Sequence, residues 1–280
     1  MSAVPGVWIA SGQPVQVPTE PDAEDFLELD TVDDATLLDD ITSMIRNKYE
    51  NTPRHQQRYM GPSEIGHPCP RHIALRLMDE DGCNVGGDPW PSIVGTACHT
   101  WLEQAAQEWN EHLGRERWIT ERRVSPREGL DGSCDLYDID TATVLDWKVP
   151  GQSRMAHYKR HGPGAVYRAQ THLYGAGFVK SGLPVTSVGI VFMPRAGQLR
   201  GAHLWREPYD PAVAQAVFDR VDNVSVLIHD LDVEHHPENY EHIPVVPGEG
   251  CDYCPFWSPN PKNSRQCAGT TGPAALLIAG

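Results

Sequence analysis

The chain has 280 residues, 40% hydrophobic and 22% charged, with 38 acids against 23 bases and a formal charge of -15. That length supports one large domain or two small ones with a buried core, and no apolar run approaches the roughly 18 residues a membrane helix needs. Taken alone, the net charge argues against nucleic acid as a partner, because phosphate binding needs local positive charge. The first residues lack the basic and apolar regions of a secretion signal, so a reducing cytoplasm is expected. The seven cysteines are then expected as thiols or metal ligands rather than disulfides.

Residues 1–32 are rich in Pro, Gly and acids and read as a flexible acidic arm. Residues 34–49 place Leu37, Leu38, Ile41, Met44 and Ile45 at helical spacing. A second short helix is expected over 69–79, with Ile73, Leu75 and Leu77 available for burial. A long amphipathic helix is expected over 92–113, with Ser92 as N-cap and Gly114 as its stop. Three strand-like runs follow, at 117–124, 133–139 and 143–149, and the turn residues between them suit an antiparallel meander. Residues 163–181 read as a helix with Pro163 near its first turn and Gly182 after its end. Strands are expected at 185–193 and 199–206, and an amphipathic helix at 210–233 with Val213, Val217, Val221, Val224 and Leu227 in register. A Pro/Gly-rich cysteine segment closes the chain. The expected organisation is the arm, a single domain over 33–270 and a tail over 271–280, with a compact α/β core and helical additions at both ends.

The charge is segregated along this order. Residues 20–40 hold ten acids and no base, and 207–249 hold ten acids and only Arg220. Residues 147–206 hold no acid and nine bases, among them Lys148, Arg154, Lys159, Arg160 and Arg168. A charge run often marks only a solvated face, but sixty residues free of acids also supply a surface that tolerates phosphates.

Asp135 lies in the second strand, and Asp146 and Lys148 lie two apart on the third, so they project together. Adjacent antiparallel strands bring Asp135 alongside. Carboxylates on one face repel unless a cation sits between them, and oxygen ligands suit Mg²⁺ or Mn²⁺. A neighbouring lysine suits stabilisation of an attacking water and a charged phosphoryl transition state. The plainer reading of this pattern is a cross-strand salt bridge. His99 falls mid-helix upstream of the strands, and Gln170 and Tyr174, at i and i+4, share one helix face. Each of these alone also fits ordinary packing.

Near the end stand Cys251, Cys254 and, twelve residues on, Cys267. Two cysteines three apart can hold one metal centre. Cys69 is the best fourth ligand, with Cys83, Cys98 and Cys134 as competitors. Spacing alone leaves structural zinc and an iron–sulfur cluster both open.

The ordered stretches GTACH (95–99), GSCD (132–135), LDWK (145–148) and QTHLY (170–174) resemble the PD-(D/E)xK nuclease superfamily. More narrowly, they are similar to the RecB-like exonucleases and the CRISPR-associated RecB-like exonuclease family, phage-encoded members included. The resemblance implies a restriction-endonuclease-like core: helix, antiparallel three-strand meander, helix, strand. It implies that His99, Asp135 and Asp146 bind Mg²⁺ or Mn²⁺, that Lys148 assists catalysis beside the two acids, and that Gln170 and Tyr174 support the site. Asp146 stands where many RecB-like members carry Glu. Iron–sulfur members have one cysteine before the core, often followed by Arg, and three after it. Cys69-Pro70-Arg71 with Cys251, Cys254 and Cys267 reproduces that layout and implies a 4Fe–4S cluster clamping the two ends. The twelve-residue final spacing is longer than usual there, which keeps zinc as the alternative.

The implied function is a metal-dependent DNA exonuclease acting on single-stranded DNA or DNA ends, in the cytoplasm of a bacterium or a phage-infected host. Arg154, Lys159, Arg160 and Arg168 are expected to hold backbone phosphates, with Tyr158 and Tyr167 among them as stacking or packing residues. The alternative is a non-catalytic DNA-end binding or recombination scaffold on the same fold. No Walker A pattern is present, so unwinding would need a helicase or recombination partner.

Overall fold

The computed structural model describes residues 33–52, 60–84, 87–248 and 251–269; the arm expected over 1–32 and the tail expected over 271–280 lie outside them. The chain forms two compact units, 1–55 and 56–280. In the first, helix α1 (Asp34–Glu50) is capped by Asp33, whose carboxylate accepts from the amides of Ala35 and Thr36 at 3.0 and 3.1 Å. Its apolar stripe forms as the spacing predicts, yet no residue of α1 is buried.

The second unit carries α2 (Pro62–Ile65), α3 (Pro70–Leu77), α4 (Trp90–Leu113), strands β1 (Trp118–Arg127), β2 (Leu130–Asp138) and β3 (Thr143–Lys148), then α5 (Gln152–His161), α6 (Gly164–Lys180), β4 (Ser187–Phe192), β5 (His203–Pro208) and α7 (Pro211–Asp230). The strands form one sheet in the order β1-β2-β3-β4-β5. β1, β2 and β3 pair antiparallel as the expected meander, β4 runs parallel to β3, and β5 returns antiparallel to β4. A parallel pair needs a long crossover, and α5 and α6 supply it. This is the restriction-endonuclease-like α/β core implied by the sequence motifs. Among the described residues, no helix is long and apolar enough to cross a membrane.

Four local features depart from expectation. α4 begins at Trp90 with Pro89 as its cap rather than Ser92, and Pro91 in the first turn forfeits only an amide with no helical partner. α5 was not expected, because only Met155 and Tyr158 of its residues are buried and they leave no apolar stripe to read. α2 is a single turn, too short for periodicity. The last strand starts at His203 because Leu199–Gly201 closes a 3-10 turn.

Helix α6 is the centre of the unit. Ala169, Gln170, Thr171, His172, Leu173, Tyr174, Gly175, Gly177 and Phe178 are all buried, so it is covered on more than one face. Tyr174 and Phe178 pack on the sheet with Val124, Tyr137, Val144 and Val188, and the Tyr137 and Phe178 rings stack at 4.7 Å. Ala169 and Leu173 join a second cluster with α3, α7 and Phe256.

The helix lies close enough to β1 that a Cβ on Gly177 would stand 2.8 Å from the Val124 side chain. Both neighbours are part of the packed core, so Gly177→Ala should overpack it by about 1–3 kcal/mol. At roughly 2–4 °C per kcal/mol for a domain of this size, differential scanning calorimetry should show a melting point several degrees lower. An unchanged melting point would mean that α6 can lift from the sheet without cost.

Candidate functional site

The sheet register creates the site. Leu136 pairs with Leu145 across β2 and β3, and one step further Asp135 stands opposite Asp146. β3 is interior to the sheet, with Asp146 level with Ile190 and Lys148 level with Phe192 of β4. α6 covers this face and lowers Gln170 onto it. Asp146 is only 1% exposed. Its Oδ1 accepts from Gln170 Nε2 at 3.0 Å, and its Oδ2 touches the Lys148 ammonium. Beyond that ion pair, Oδ2 is buried and meets no further hydrogen-bond partner. Gln170 Nε2 also lies 3.5 Å from the Tyr174 hydroxyl, so the two α6 residues act on the site as one face.

Asp135 is held from two sides. Its Oδ2 accepts the Trp147 amide of β3 at 2.7 Å, and its Oδ1 lies 3.4 Å from His99 Nδ1 on α4. Tertiary packing therefore joins His99, Asp135, Asp146, Lys148, Gln170 and Tyr174, which come from two helices and two strands.

One further residue enters that was not expected. Glu121 of β1 offers a carboxylate oxygen that, with one ligand atom each from His99 and Asp135, lies within 4.8 Å of the others. The pairs Thr120–Leu136 and Arg122–Cys134 put Glu121 level with Asp135. The hairpin register was thus the signal that could have found it, once the turn near Gly129 was placed. Glu121 sits at φ 46°, a left-handed backbone position that costs a non-glycine residue about 1–3 kcal/mol and clusters at functional sites.

The electrostatics are mutually dependent. Burial pushes the Asp146 carboxyl up to about 6, against the Lys148 charge, and Asp135 raises it further. Burial would also raise Asp135, but His99 and Lys148 outweigh it and hold its carboxyl below the usual range. His99 is raised: burial opposes its charge, and the Asp135 hydrogen bond and charge prevail. Lys148 is raised as well, because Asp146 and Asp135 outweigh its burial. Burial keeps the Tyr174 hydroxyl protonated. An imidazole, carboxylates from two strands and a buried oxygen with no further hydrogen-bond partner form a donor set that fits a hard divalent cation.

A second constellation lies between the start of α3 and the segment that follows α7. Cys69, Cys251, Cys254 and Cys267 all line one cavity, together with His67, His72, Phe256 and Trp257. Gly248 N donates to Cys251 Sγ at 3.4 Å and Gly269 N to Cys267 Sγ at 3.3 Å, while His72 Nδ1 lies 3.3 Å from Cys254 Sγ. Burial pushes the Cys254 thiol up to about 11, and the other three sulfurs add to that. Four clustered sulfurs with amide donors fit a thiolate-ligated metal centre. Arg71 explains the Cys-Pro-Arg stretch. Its buried guanidinium donates to the carbonyls of Glu241 and Ile243 at 2.8 and 3.0 Å, tying α3 to the C-terminal segment. Of the competing cysteines, Cys134 is fully buried in the sheet core and Cys83 is exposed.

The four expected phosphate-binding bases are placed unequally. Arg168 pairs with Glu207 at 2.6 Å, and Lys159 donates to the Gly201 carbonyl at 2.9 Å. Arg154 sits over the Tyr253 ring at 5.4 Å, and Arg160 is exposed on α5.

Comparison with protein-family models gives no match, and comparison with curated proteins gives none. Among solved structures, the chain is similar to an alkaline exonuclease from Laribacter hongkongensis, at 14% identity and TM-score 0.46, covering 64% of this chain and 92% of that one. It is similar to the same exonuclease in complex with dAMP, at 16% identity and TM-score 0.42, covering 64% and 94%. It is also similar to a phage-related exonuclease from Haemophilus somnus 129PT, at 16% identity and TM-score 0.39, covering 59% and 82%. At such values, chemistry has to be argued from this chain's own residues.

A cation held at Asp146 would meet competition from protons as pH falls through about 6, and protonation of His99 would act in the same direction. Mn²⁺ affinity measured by isothermal titration calorimetry should therefore fall between pH 7.5 and pH 5, by roughly tenfold per unit below 6. Asp146→Asn should bind more weakly at pH 7.5 and respond less to pH. An affinity independent of pH over that range would remove Asp146 from the cation site.

Proposed function

We propose that this protein is a metal-dependent deoxyribonuclease of the RecB-like type, an exonuclease on single-stranded DNA or DNA ends, with a 4Fe–4S cluster on its four clustered cysteines. The observation that carries the reading is the buried Asp146, bonded at once to Lys148 and to Gln170 and facing Asp135. A surface salt bridge would need none of that burial.

His99, Asp135 and Asp146, joined by Glu121, would hold Mg²⁺ or Mn²⁺, which supplies Lewis-acid stabilisation of phosphate charge. The chain's own residues do the rest. Lys148 stays charged, because the carboxylates around it favour its ammonium form. Its role is therefore to stabilise negative charge at the attacked phosphate and to orient the water, not to accept a proton. Its Nζ also lies 4.9 Å over the Tyr167 ring, which adds a cation–π contact to the ammonium. Gln170 holds Asp146 Oδ1 and leaves Oδ2 directed to the charged centre. Arg154 and Arg160 of α5 would meet the DNA backbone, with Lys159 and Arg168 adding charge from positions they also brace. Unwinding would come from a separate helicase or recombination partner.

End-labelled single-stranded and duplex DNA, incubated with the purified protein and Mn²⁺ or Mg²⁺, should be shortened from the ends. Lys148→Ala and Asp146→Ala should each lower the rate by on the order of 10²–10³-fold. Cleavage at wild-type rates by both variants would refute the reading. DNA binding without cleavage by the wild type would turn it towards the non-catalytic DNA-end scaffold.

The cysteine centre has its own test. Anaerobically purified protein should be brown and contain iron and sulfide, and Cys69→Ser or Cys254→Ser should lose both. Because these ligands tie α3 to the C-terminal segment, the same variants should also melt at lower temperature. A colourless protein with stoichiometric zinc would replace the cluster with the zinc alternative.

A further inference from the structure

The turn Cys251–Tyr253 is followed directly by Cys254, and the two cysteines line the cavity while the side chain of Tyr253 lies outside it. Tyr253 is 75% exposed, although it stands between two sulfurs of a centre that ties α3 to the C-terminal segment. A large ring left in solvent invites a ligand that stacks on it. What the ring touches shows which ligand. The Arg154 guanidinium of α5 lies over it at 5.4 Å, and the neighbouring Tyr253 and Tyr158 favour its charged form. Tyr158 packs beside Tyr167 at 5.9 Å between ring centroids, and Tyr167 lies under the Lys148 ammonium at 4.9 Å. A continuous run of contacts, Lys148–Tyr167–Tyr158–Arg154–Tyr253, thus leads from the charged centre of the candidate active site to the exposed ring.

The charge along this run has one sign. Helix α5 contributes Arg154, Lys159, Arg160, His157 and His161 and no acid. Tyr158 is buried and stacks on Phe192 at 4.6 Å, so it packs the core and is not free to stack a base. Tyr253 is free. A positively charged track ending in an aromatic platform is the arrangement that holds single strands, because a cationic groove follows the backbone while π faces take unstacked bases. A duplex end keeps its bases paired and stacked and offers the ring only its terminal pair.

We propose that Tyr253, backed by Arg154 and held in place by the cysteine centre, is a stacking platform for one nucleobase of a single-stranded DNA a few nucleotides from the position attacked beside Lys148. This rests on the nuclease reading and deepens it: the cysteine centre then shapes the substrate track as well as closing the chain. Tyr253 touches a base distant from the reacting phosphate, so it is a positioning residue.

The test uses the full-length, metal-loaded protein and single-stranded oligonucleotides, with binding measured by fluorescence anisotropy in Ca²⁺. An abasic nucleotide is walked along the strand. With the wild type, one position should weaken binding by roughly 5- to 150-fold, the range for one base–aromatic stack. Tyr253→Leu should show a similar loss with the intact strand and no additional loss at the abasic position, the non-additivity expected of two halves of one contact. Tyr253→Phe and Tyr253→Trp should retain binding, and all variants should keep the wild-type metal content. Hydrolysis of bis(4-nitrophenyl) phosphate, which offers no stacked base, should be unchanged in Tyr253→Leu and lost in Lys148→Ala.

A flat abasic profile in the wild type overturns the platform, and that arm depends on no variant folding. Equal DNA affinity of wild type and Tyr253→Leu overturns it too. Failure of the wild type to hydrolyse either substrate overturns the nuclease reading, while the abasic profile still decides the stack.

Discussion

A carboxylate that is only 1% exposed is costly to keep in a fold, and Asp146 is such a carboxylate. The effective penalty for burying an ion is several kcal/mol even after relaxation. Compensation comes from Lys148 on the same strand and Gln170 on the helix above, and each requires a particular placement of the backbone. Lys148 must be two residues on, so β3 must be extended there. Gln170 must reach down from α6, so α6 must lie close to the sheet, as Gly177 against Val124 allows. The sheet must pair so that Asp135 faces Asp146 and takes the Trp147 amide. Much of the core thus serves to keep one charge in an otherwise unfavourable place. A stored cost of that kind is expected where charge is needed for chemistry.

The cysteine centre solves a different problem. α3 and the C-terminal segment are far apart in sequence, and closing so long a loop is opposed by chain entropy. Arg71 spends a buried guanidinium on backbone carbonyls of residues 241 and 243, and four sulfurs converge beside it. Next to that junction Tyr253 meets Arg154, so the C-terminal segment and helix α5 are in contact. The net charge of -15 is no obstacle to a DNA substrate in this arrangement. Its acids concentrate outside 147–206, while α5 presents bases only.

Much of the architecture was readable in the residues. The meander and its two flanking helices were legible because strand alternation and helix stops are local signals, and Gly114 ends α4 at φ 64° as a glycine stop should. α5 was not legible, since its burial comes from two side chains reaching Phe192 and Ile190 rather than from a stripe. The same distinction holds at the sites. Asp135, Asp146 and Lys148 stood out by residue type and spacing, as did Cys251 and Cys254, while His99, Gln170, Tyr174 and the full cysteine set stood out through the motifs that resemble the nuclease superfamily. Glu121 did not, because its place depends on a hairpin register and a left-handed backbone angle. The basic run was legible as charge but not as availability. Arg168 and Lys159 are committed to Glu207 and to the Gly201 carbonyl, partners that lie thirty-nine and forty-two residues away.

The amino-acid sequence by itself determined which groups are present and how each segment folds locally, because period, caps and turn residues act over a few positions. Only the tertiary structure decided which groups meet. It brought Glu121 beside His99 and Asp135, made Asp146 a buried charge, and set Tyr253 in solvent beside Arg154. Those outcomes depend on strand register and on how closely a helix approaches a sheet. They are fixed by packing among residues distant in the chain, and no local pattern carries that information.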